Sequence, residues 1–455
     1  SDLKHVIDFQ DAAFTQLLDG KSDKVEPAQP ADNDLAMFIY TSGTTGNPKG
    51  VELSHYNLAA NACGVLEAMP LAERERSLAF LPWAHVFGGC IELNSGIMHG
   101  SELAICENTD KLIEQLPEVQ PTMLFAVPRI WNRIYDGVQK QMAAKPKAIQ
   151  TIFHRGMAAK SKQKQGQAIG LSDKLFLALA EKLIFSKIRA KFGGKLRFAF
   201  SGAAALSREV GEFIDNLGIM VFEGYGLTES SGCTTANTPN GRRMGAVGKP
   251  LPGISITLDK SVLGAGEDEG EIVIYGTGVM QGYHNQPEAT QASITPDGGL
   301  RTGDLGRIDS DGFLYITGRV KELYKLSNGK YVAPAPLEEA IMLSPYISQC
   351  MIVGSDKPHN VALIVPDMVA LAGFAESHGL PKDPSQLLTD PRVKELIRKE
   401  IDACSREFKG FEAVHDFVLS SEQMTTQNDM LTPTFKVKRR NVLKLYGAQL
   451  DALYK

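Results

Sequence analysis

The sequence predicts an α/β protein. A large N-terminal domain of mostly parallel, αβ-layered sheet carries a β-rich subdomain, and a smaller α+β C-terminal domain follows. Three observations predict this. Short apolar runs alternate with helical or loop stretches through residues 35–230, as expected of a mostly parallel sheet with helices on its faces. After Gly245 the texture changes to short β segments with turn residues between them, ISITLD, EGEIVIYG and DGFLYITG, giving a β-rich subdomain at about 245–318. From about residue 320 the pattern is mixed α and β to the end of the chain.

Taken in order, residues 21–34 (KSDKVEPAQPADND) are polar and Pro-containing and read as a linker or surface loop. LAMFIY (35–40) reads as a buried strand that stops at the loop YTSGTTGNPKG. SHYNLAANACGVLEAM (54–69) reads as a helix with Ser54 as N-cap. SLAFLP (77–82), ELAIC (102–106) and TMLFAVP (122–128) read as further buried strands. Residues 131–195 are mainly helical and rich in Lys and Arg. KLRFAFSGAAAL (195–206) and IMVFEGYGLTES (219–230) are strands ending in turns of small residues or glycine.

At 455 residues, two or three domains are expected. Hydrophobic content of 43% and charged content of 22% are ordinary for a globular chain, and a net charge of −5 argues against nucleic-acid binding. None of the six cysteines forms a CxxC pair, so a zinc or redox site has no support, and scattered cysteines suit a reducing cytosol. SDLKHVIDFQ has no basic segment followed by an apolar run, so no signal peptide is visible. No run of roughly 18 apolar residues occurs. The richest stretch is broken by Pro82, His85 and Glu92.

YTSGTTGNPKG (40–50) cannot pack a core. Its glycines allow close backbone approach, and N–H groups, hydroxyls and Lys49 could converge on an anion. It is not a Walker A loop, because Pro48 precedes the lysine and VELSH replaces the helix that should open after it. Composition alone leaves both a flexible turn and a phosphate site open.

The whole string resembles the phosphate-binding signature of the adenylate-forming enzymes, the superfamily of acyl-CoA synthetases, adenylation domains and luciferases. By that resemblance Thr41, Ser42, Gly43, Thr44, Thr45, Gly46 and Lys49 hold ATP phosphates. SGAAAL (201–206), with Gly202 and Ala203, resembles the turn beside the purine. EGYGLTES (223–230) resembles the adenine and magnesium motif. It assigns Glu223, Gly224, Tyr225 and Gly226 to the nucleotide, Thr228 to the α-phosphate and Glu229 to Mg²⁺, which prefers oxygen ligands. RTGDLG (301–306) assigns Asp304 to the ribose hydroxyls, and GRVKELYKLSNGKYVAPAPLE (318–338) adds Arg319 there, with Lys321 as the hinge. PTFKVKRR (433–440) resembles the catalytic-lysine motif with Phe435 in place of its usual glycine. Lys436 is the assigned catalytic lysine and Lys438 its rival.

LPWAHVFG (81–88), VPRIWNRIY (127–135) and the lead-in LTPTFKVKR resemble the long-chain fatty acyl-CoA synthetases. His85, Val86 and Phe87 would line the acyl channel, although a lone histidine is more often a satisfied buried residue. The implied activity is ATP-dependent formation of an acyl-adenylate and transfer to CoA, with Mg²⁺ as cofactor and fatty acid, ATP and CoA as substrates. Acyl carrier protein as acceptor, and a non-catalytic nucleotide-binding subunit, stay open as alternatives. The implied domains are 1–318 and a mobile 319–455. Relatives carry a longer front before the Gly/Thr loop, so the first subdomain is expected to be incomplete, leaving apolar surface uncovered. The basic helical stretch has two readings, a solvated face or a contact with an anionic membrane surface or CoA phosphates. The expected location is cytoplasmic or peripheral at the inner membrane face. A dimer is left open.

Overall fold

The structure, a computed structural model, describes residues 28–41, 48–204, 206–262, 264–381, 383–431 and 437–455. β1 (Leu35–Thr41), β2 (Lys49–Ser54) and α1 (His55–Ala68) lead into β3 (Arg76–Ala79). A π-helical turn at Phe87–Asn94, α2 (Ser95–His99), β4 (Glu102–Ile105), α3 (Leu112–Val119) and β5 (Met123–Ala126) follow. Next come α4 (Pro128–Ala143), α5 (Lys147–Lys164), α6 (Leu171–Ala180) and α7 (Ser186–Lys191). β6 (Phe198–Ser201), α8 (Arg208–Asn216), β7 (Met220–Tyr225), β8 (Thr235–Ala236) and β9 (Lys249–Pro250) complete a seven-stranded sheet of order β4-β3-β5-β6-β7-β8-β9. Its first five strands are parallel.

Both faces of this sheet are covered. Leu124, Ala126 and Ala199 point into one core with the helices from α4 to α8, while Met123, Phe125 and Phe198 point into the other. Burial on both faces is why these strands read as continuous apolar runs rather than alternating ones.

β10 (Ile254–Asp259), β11 (Gly270–Gly276), β12 (Gly282–Tyr283), α9 (Pro287–Ser293), β13 (Leu300–Ile308) and β14 (Leu314–Arg319) follow. β10, β11, β13 and β14 form an antiparallel sheet, and β12 pairs back onto β2. The remainder holds the hairpin β15 (Tyr324–Lys325) and β16 (Tyr331–Val332), then α10 (Pro334–Ile341), β17 (Ile347–Val353) and β18 (Asn360–Pro366). It continues with α11 (Met368–His378), α12 (Pro384–Thr389), α13 (Pro391–Cys404), β19 (Val414–Leu419) and α14 (Arg439–Ala452). Arg439 reaches the buried Glu338 carboxylate with bonds of 2.7 and 2.6 Å, tying the start of α14 to α10.

Ser54 caps α1 as the sequence predicts. Its Oγ accepts from Asn57 N–H at 3.1 Å and its own N–H donates to Asn57 Oδ1 at 2.9 Å, a reciprocal capping box. Two strands predicted as buried are not. On β1, Leu35, Phe38 and Tyr40 are 40%, 42% and 65% exposed, and on β4 Ile105 is 69% exposed. Both are edge strands of their sheets. An apolar run signals a strand, but whether a neighbour covers it depends on distant chain.

Candidate functional site

β3 connects outward to β4, whereas β5, β6 and β7 build in the other direction, so the strand order reverses between β3 and β5. In open α/β sheets, ligands bind at the carboxyl ends of the strands beside such a reversal. The motifs singled out in the sequence emerge at that edge. LPWAHVFG leaves β3, VPR leaves β5, SGAA leaves β6 and GYGLTES leaves β7. Pro128 occupies the first turn of α4, where its missing N–H costs nothing, so the chain turns sharply at VPR.

A second wall comes from the antiparallel sheet. Asp304 on β13 lies opposite Arg319 on β14, which places the two side chains together. Arg319 Nε is 3.0 Å from Asp304 Oδ1, and Tyr225, at the end of β7, donates its hydroxyl to Asp304 Oδ2 at 2.8 Å. The carboxylate is 3% exposed and is thus fixed between the two sheets. Burial, and then the Asp304 charge, push the Tyr225 hydroxyl well above its usual pKa, so it stays a donor. Glu271 accepts from Gly303 N–H at 3.0 Å, setting the turn that presents Asp304.

Thr228 and Glu229 open a 3-10 turn after β7. Gly226 is required there, because a Cβ would stand 1.7 Å from the Gly232 carbonyl oxygen. Tyr283 on β12 donates its hydroxyl to Glu229 Oε1 at 2.9 Å, and the Lys49 ammonium sits 4.5 Å over the centre of the Tyr283 ring. Lys49, at the start of β2, and Glu229 therefore both meet Tyr283, one at its ring and the other at its hydroxyl. Thr41 on β1 lies opposite Lys49 on β2 in an antiparallel register, and Lys49 opens a strand rather than the helix that follows a Walker A loop.

The family description "AMP-binding enzyme" matches residues 1–284, and "AMP-binding enzyme C-terminal domain" matches residues 322–455. The chain belongs to the AMP-binding enzyme family. This AMP-binding enzyme is 34% identical to a putative fatty-acid–CoA ligase, fadD11, of Mycobacterium tuberculosis, over 92% of this chain and 74% of that protein. It is 35% identical to the long-chain-fatty-acid–CoA ligase FadD15 of the same organism, over 92% of this chain and 69% of that one. Among solved structures it matches the adenylation domain of a carboxylate reductase from Mycobacterium chelonae with a TM-score of 0.70 at 26% identity, covering 94% of this chain and 61% of that one.

In this AMP-binding enzyme the structure brings together Thr41, Lys49, Tyr225, Thr228, Glu229, Asp304 and Arg319 from three sheets and the turn after β7. Gly202 packs against the Phe87 ring, which a Cβ would meet at 3.3 Å, and Ala203 takes a left-handed φ of 69°. The SGAA turn and the LPWAHVFG segment are thus in direct contact. Val86 is buried, and His85 Nδ1 accepts the Phe87 N–H at 3.2 Å, which fixes the ring over its own turn. Glu223 is turned inward and accepts from Gly245 N–H at 3.2 Å, while Gly224 pairs with β8. Burial pushes Glu223 up to about 7. Lys321 is exposed on a 3-10 turn directly after β14. Ser42, Gly43, Thr44, Thr45, Gly46 and Lys436 lie outside the described residues.

Sequence reading missed Tyr283, Glu271 and Glu92. Tyr283 sits in QGYHN, a Gly-Tyr pair just ahead of a helix start, which is too short a signal to assign a role. Glu92, on the π-helical turn, is fully buried with Ser77 Oγ donating to Oε1 at 2.5 Å, and burial pushes it up to about 7. It appeared in the sequence only as a break in an apolar run. The fissure it shares with Phe125 and Phe200 is about 10 Å³, too small for an organic ligand.

Proposed function

We propose that this chain activates a fatty acid as its acyl-adenylate and passes the acyl group to CoA. The observation that carries the proposal is the Tyr225–Asp304–Arg319 constellation beside the Lys49–Tyr283–Glu229 group, at the carboxyl ends of the parallel strands. In this reading Asp304 and Arg319 hold the ribose hydroxyls, the Tyr225 ring and the Gly202–Ala203 turn flank adenine, and the Gly/Thr hairpin with Lys49 and Thr228 faces the phosphates. The carboxylate attacks the α-phosphorus and pyrophosphate leaves. The thiol of CoA then attacks the acyl carbon and AMP leaves.

An anion must approach a polyanion in the first step, so positive charge and donors placed where charge develops lower the barrier. Lys49 and the assigned Lys436 supply it from the chain. Lys438 is already paired with Asp429, which favours Lys436 as the catalytic lysine. Among the described residues no cluster of three or more His, Cys, Asp or Glu exists to cage a metal. A single carboxylate, Glu229, is a donor set that suits Mg²⁺, which takes one or two carboxylates plus substrate phosphates. When bound there, Mg²⁺ would neutralise phosphate charge. Glu229 would hold it, with Tyr283 orienting the carboxylate.

The hinge reading places the turn at 320–322 as the pivot of a C-terminal domain from 319 to 455 that removes Lys436 between the two steps. Lys436→Ala should impair adenylate formation more than thioester formation from supplied acyl-adenylate, and Lys321→Pro should do the reverse. Equal losses in both half-reactions would contradict the switch. No described helix is long and apolar enough to cross a membrane. The location this reading favours is cytoplasmic, or peripheral at the inner membrane face.

The test of the reaction is fatty-acid-dependent ATP–pyrophosphate exchange by this 455-residue chain without CoA, over a panel of carbon lengths. Exchange is expected. ATP binding without exchange would favour a nucleotide-binding subunit instead. Product formation with CoA against acyl carrier protein identifies the acceptor.

A further inference from the structure

Lys140 to Lys191 contains twelve Lys and Arg against two acidic residues, Asp173 and Glu181, in a chain whose net charge is −5. The excess positive charge is concentrated in a helical layer, α5 to α7, on one side of the parallel sheet. The layer's inner face is firmly packed. Phe153, Ala159, Ala180, Ile184, Phe185 and Ile188 are buried in the main core, and a Cβ on Gly156 would stand 2.3 Å from the Ala180 Cβ, so α5 and α6 meet at close quarters.

The outer face is unusual. Leu171 is 86% exposed, Leu175, one turn further, is 60% exposed, and Leu183, two turns beyond, is 38% exposed. Exposed lysines 174, 182 and 187 stand among them, and Lys145 and Lys147 are exposed at the start of α5. None of these five lysines has an ion pair among the described residues, whereas Lys162, Lys164 and Arg189 are paired with Asp173, Asp215 and Glu181. A solvated helix face would carry lysines without leucines, and a protein core would carry leucines without lysines. Exposed leucines interspersed with unpaired lysines along 171–187 match an interface between acyl chains and anionic headgroups.

We propose that the outer face of α6, α7 and the π-helical turn Glu181–Phe185 between them, with the start of α5, docks the protein on an anionic lipid bilayer. Leu171, Leu175 and Leu183 enter the headgroup region, and the five lysines lie against lipid phosphates. No segment spans the bilayer.

The test is co-sedimentation of the full chain with vesicles of phosphatidylcholine alone or of phosphatidylcholine and phosphatidylglycerol. Binding is expected to the anionic vesicles and not to the neutral ones. It should weaken when salt is raised from about 0.15 M to about 1 M, which shortens the screening length from about 8 Å to about 3 Å. Two variants separate the contributions, one with Leu171→Ser and Leu175→Ser, the other with Lys174→Glu, Lys182→Glu and Lys187→Glu. Each should lower anionic-vesicle binding by about tenfold or more while the thermal midpoint stays at the wild-type value. Wild-type binding by both variants, or no wild-type binding to anionic vesicles, would overturn the proposal. Retention on single-stranded RNA without vesicle binding would overturn it in favour of a nucleic-acid surface.

Discussion

At the amino edge of the parallel strands, Glu75 is 1% exposed and accepts from Ala72 N–H at 2.9 Å, from the Thr122 hydroxyl and from the Arg197 guanidinium. At the carboxyl edge, Glu223 is 6% exposed and accepts from Gly245 N–H at 3.2 Å. Burial alone would raise both carboxyls. At Glu75 the bonds from Thr122, Ala72 and Arg197 outweigh it and hold the group below the usual carboxylate range, while Glu223 rises to about 7. The amino edge satisfies its polar groups internally and knots β3, β5 and β6 together. The carboxyl edge keeps polar groups less fully partnered, including the buried Ser201 Oγ, which has no partner among the described residues. A sheet whose one edge is locked can hold reactive groups at the other.

Four substitutions probe that contrast. The largest effect is expected from Asp304→Ala at the carboxyl edge, which strands the Arg319 charge and the Tyr225 hydroxyl. Stability should fall by about 3 kcal/mol and calorimetric AMP binding should vanish; retained AMP affinity would remove Asp304 from the ribose site. Glu75→Ala at the amino edge should cost about 2 kcal/mol in urea unfolding and leave AMP affinity unchanged, since its partners lie away from the motif turns. A change in AMP affinity there would erase the distinction between the edges.

Glu223→Gln should act through pH, on the order of 1–2 kcal/mol. Native Glu223 keeps a proton to about 7, which an unfolded glutamate loses near 4.5, so its contribution to stability falls as pH rises between those values. The variant should flatten that descent in a series of thermal midpoints. Glu75 has the opposite sign. Its contribution is present above the unfolded pKa and is lost as pH falls through the lowered folded one. Matching pH profiles for Glu223→Gln and wild type would contradict the assignment. The smallest effect is expected from Tyr283→Phe, about 1 kcal/mol, read as a few-fold loss of pyrophosphate exchange with no change in AMP binding. Unchanged exchange would mean that Glu229 needs no orienting partner.

The candidate nucleotide residues could be singled out because they lie in contiguous strings, such as EGYGLTES and RTGDLG, where each neighbour restricts the meaning of the next. The sheet was legible from apolar runs on strands covered on both sides. Exposure of β1 and β4 was not, since it depends on which strand lies alongside. Neither were Lys49–Tyr283 or Glu75–Arg197, whose members stand far apart in the chain and meet only after the sheets close. Glu223 shows a further limit. Its string marks it as a nucleotide-motif residue, yet its carboxyl faces Gly245.

The short pairing of β2 with β12 also orders events in time. Asn57, at the start of α1, donates to the carbonyls of Thr277 and Val279, 220 and 222 residues further along the chain. At a synthesis rate of about 5–20 residues per second, the Gly/Thr hairpin leaves the ribosome on the order of 10–40 s before those partners exist. Through that interval β1 and β2 have neither β12 nor Tyr283 beside them. The contacts of β2 with β12 and of Glu229 with Tyr283 are therefore among the last of the large domain to form, once synthesis has passed Tyr283.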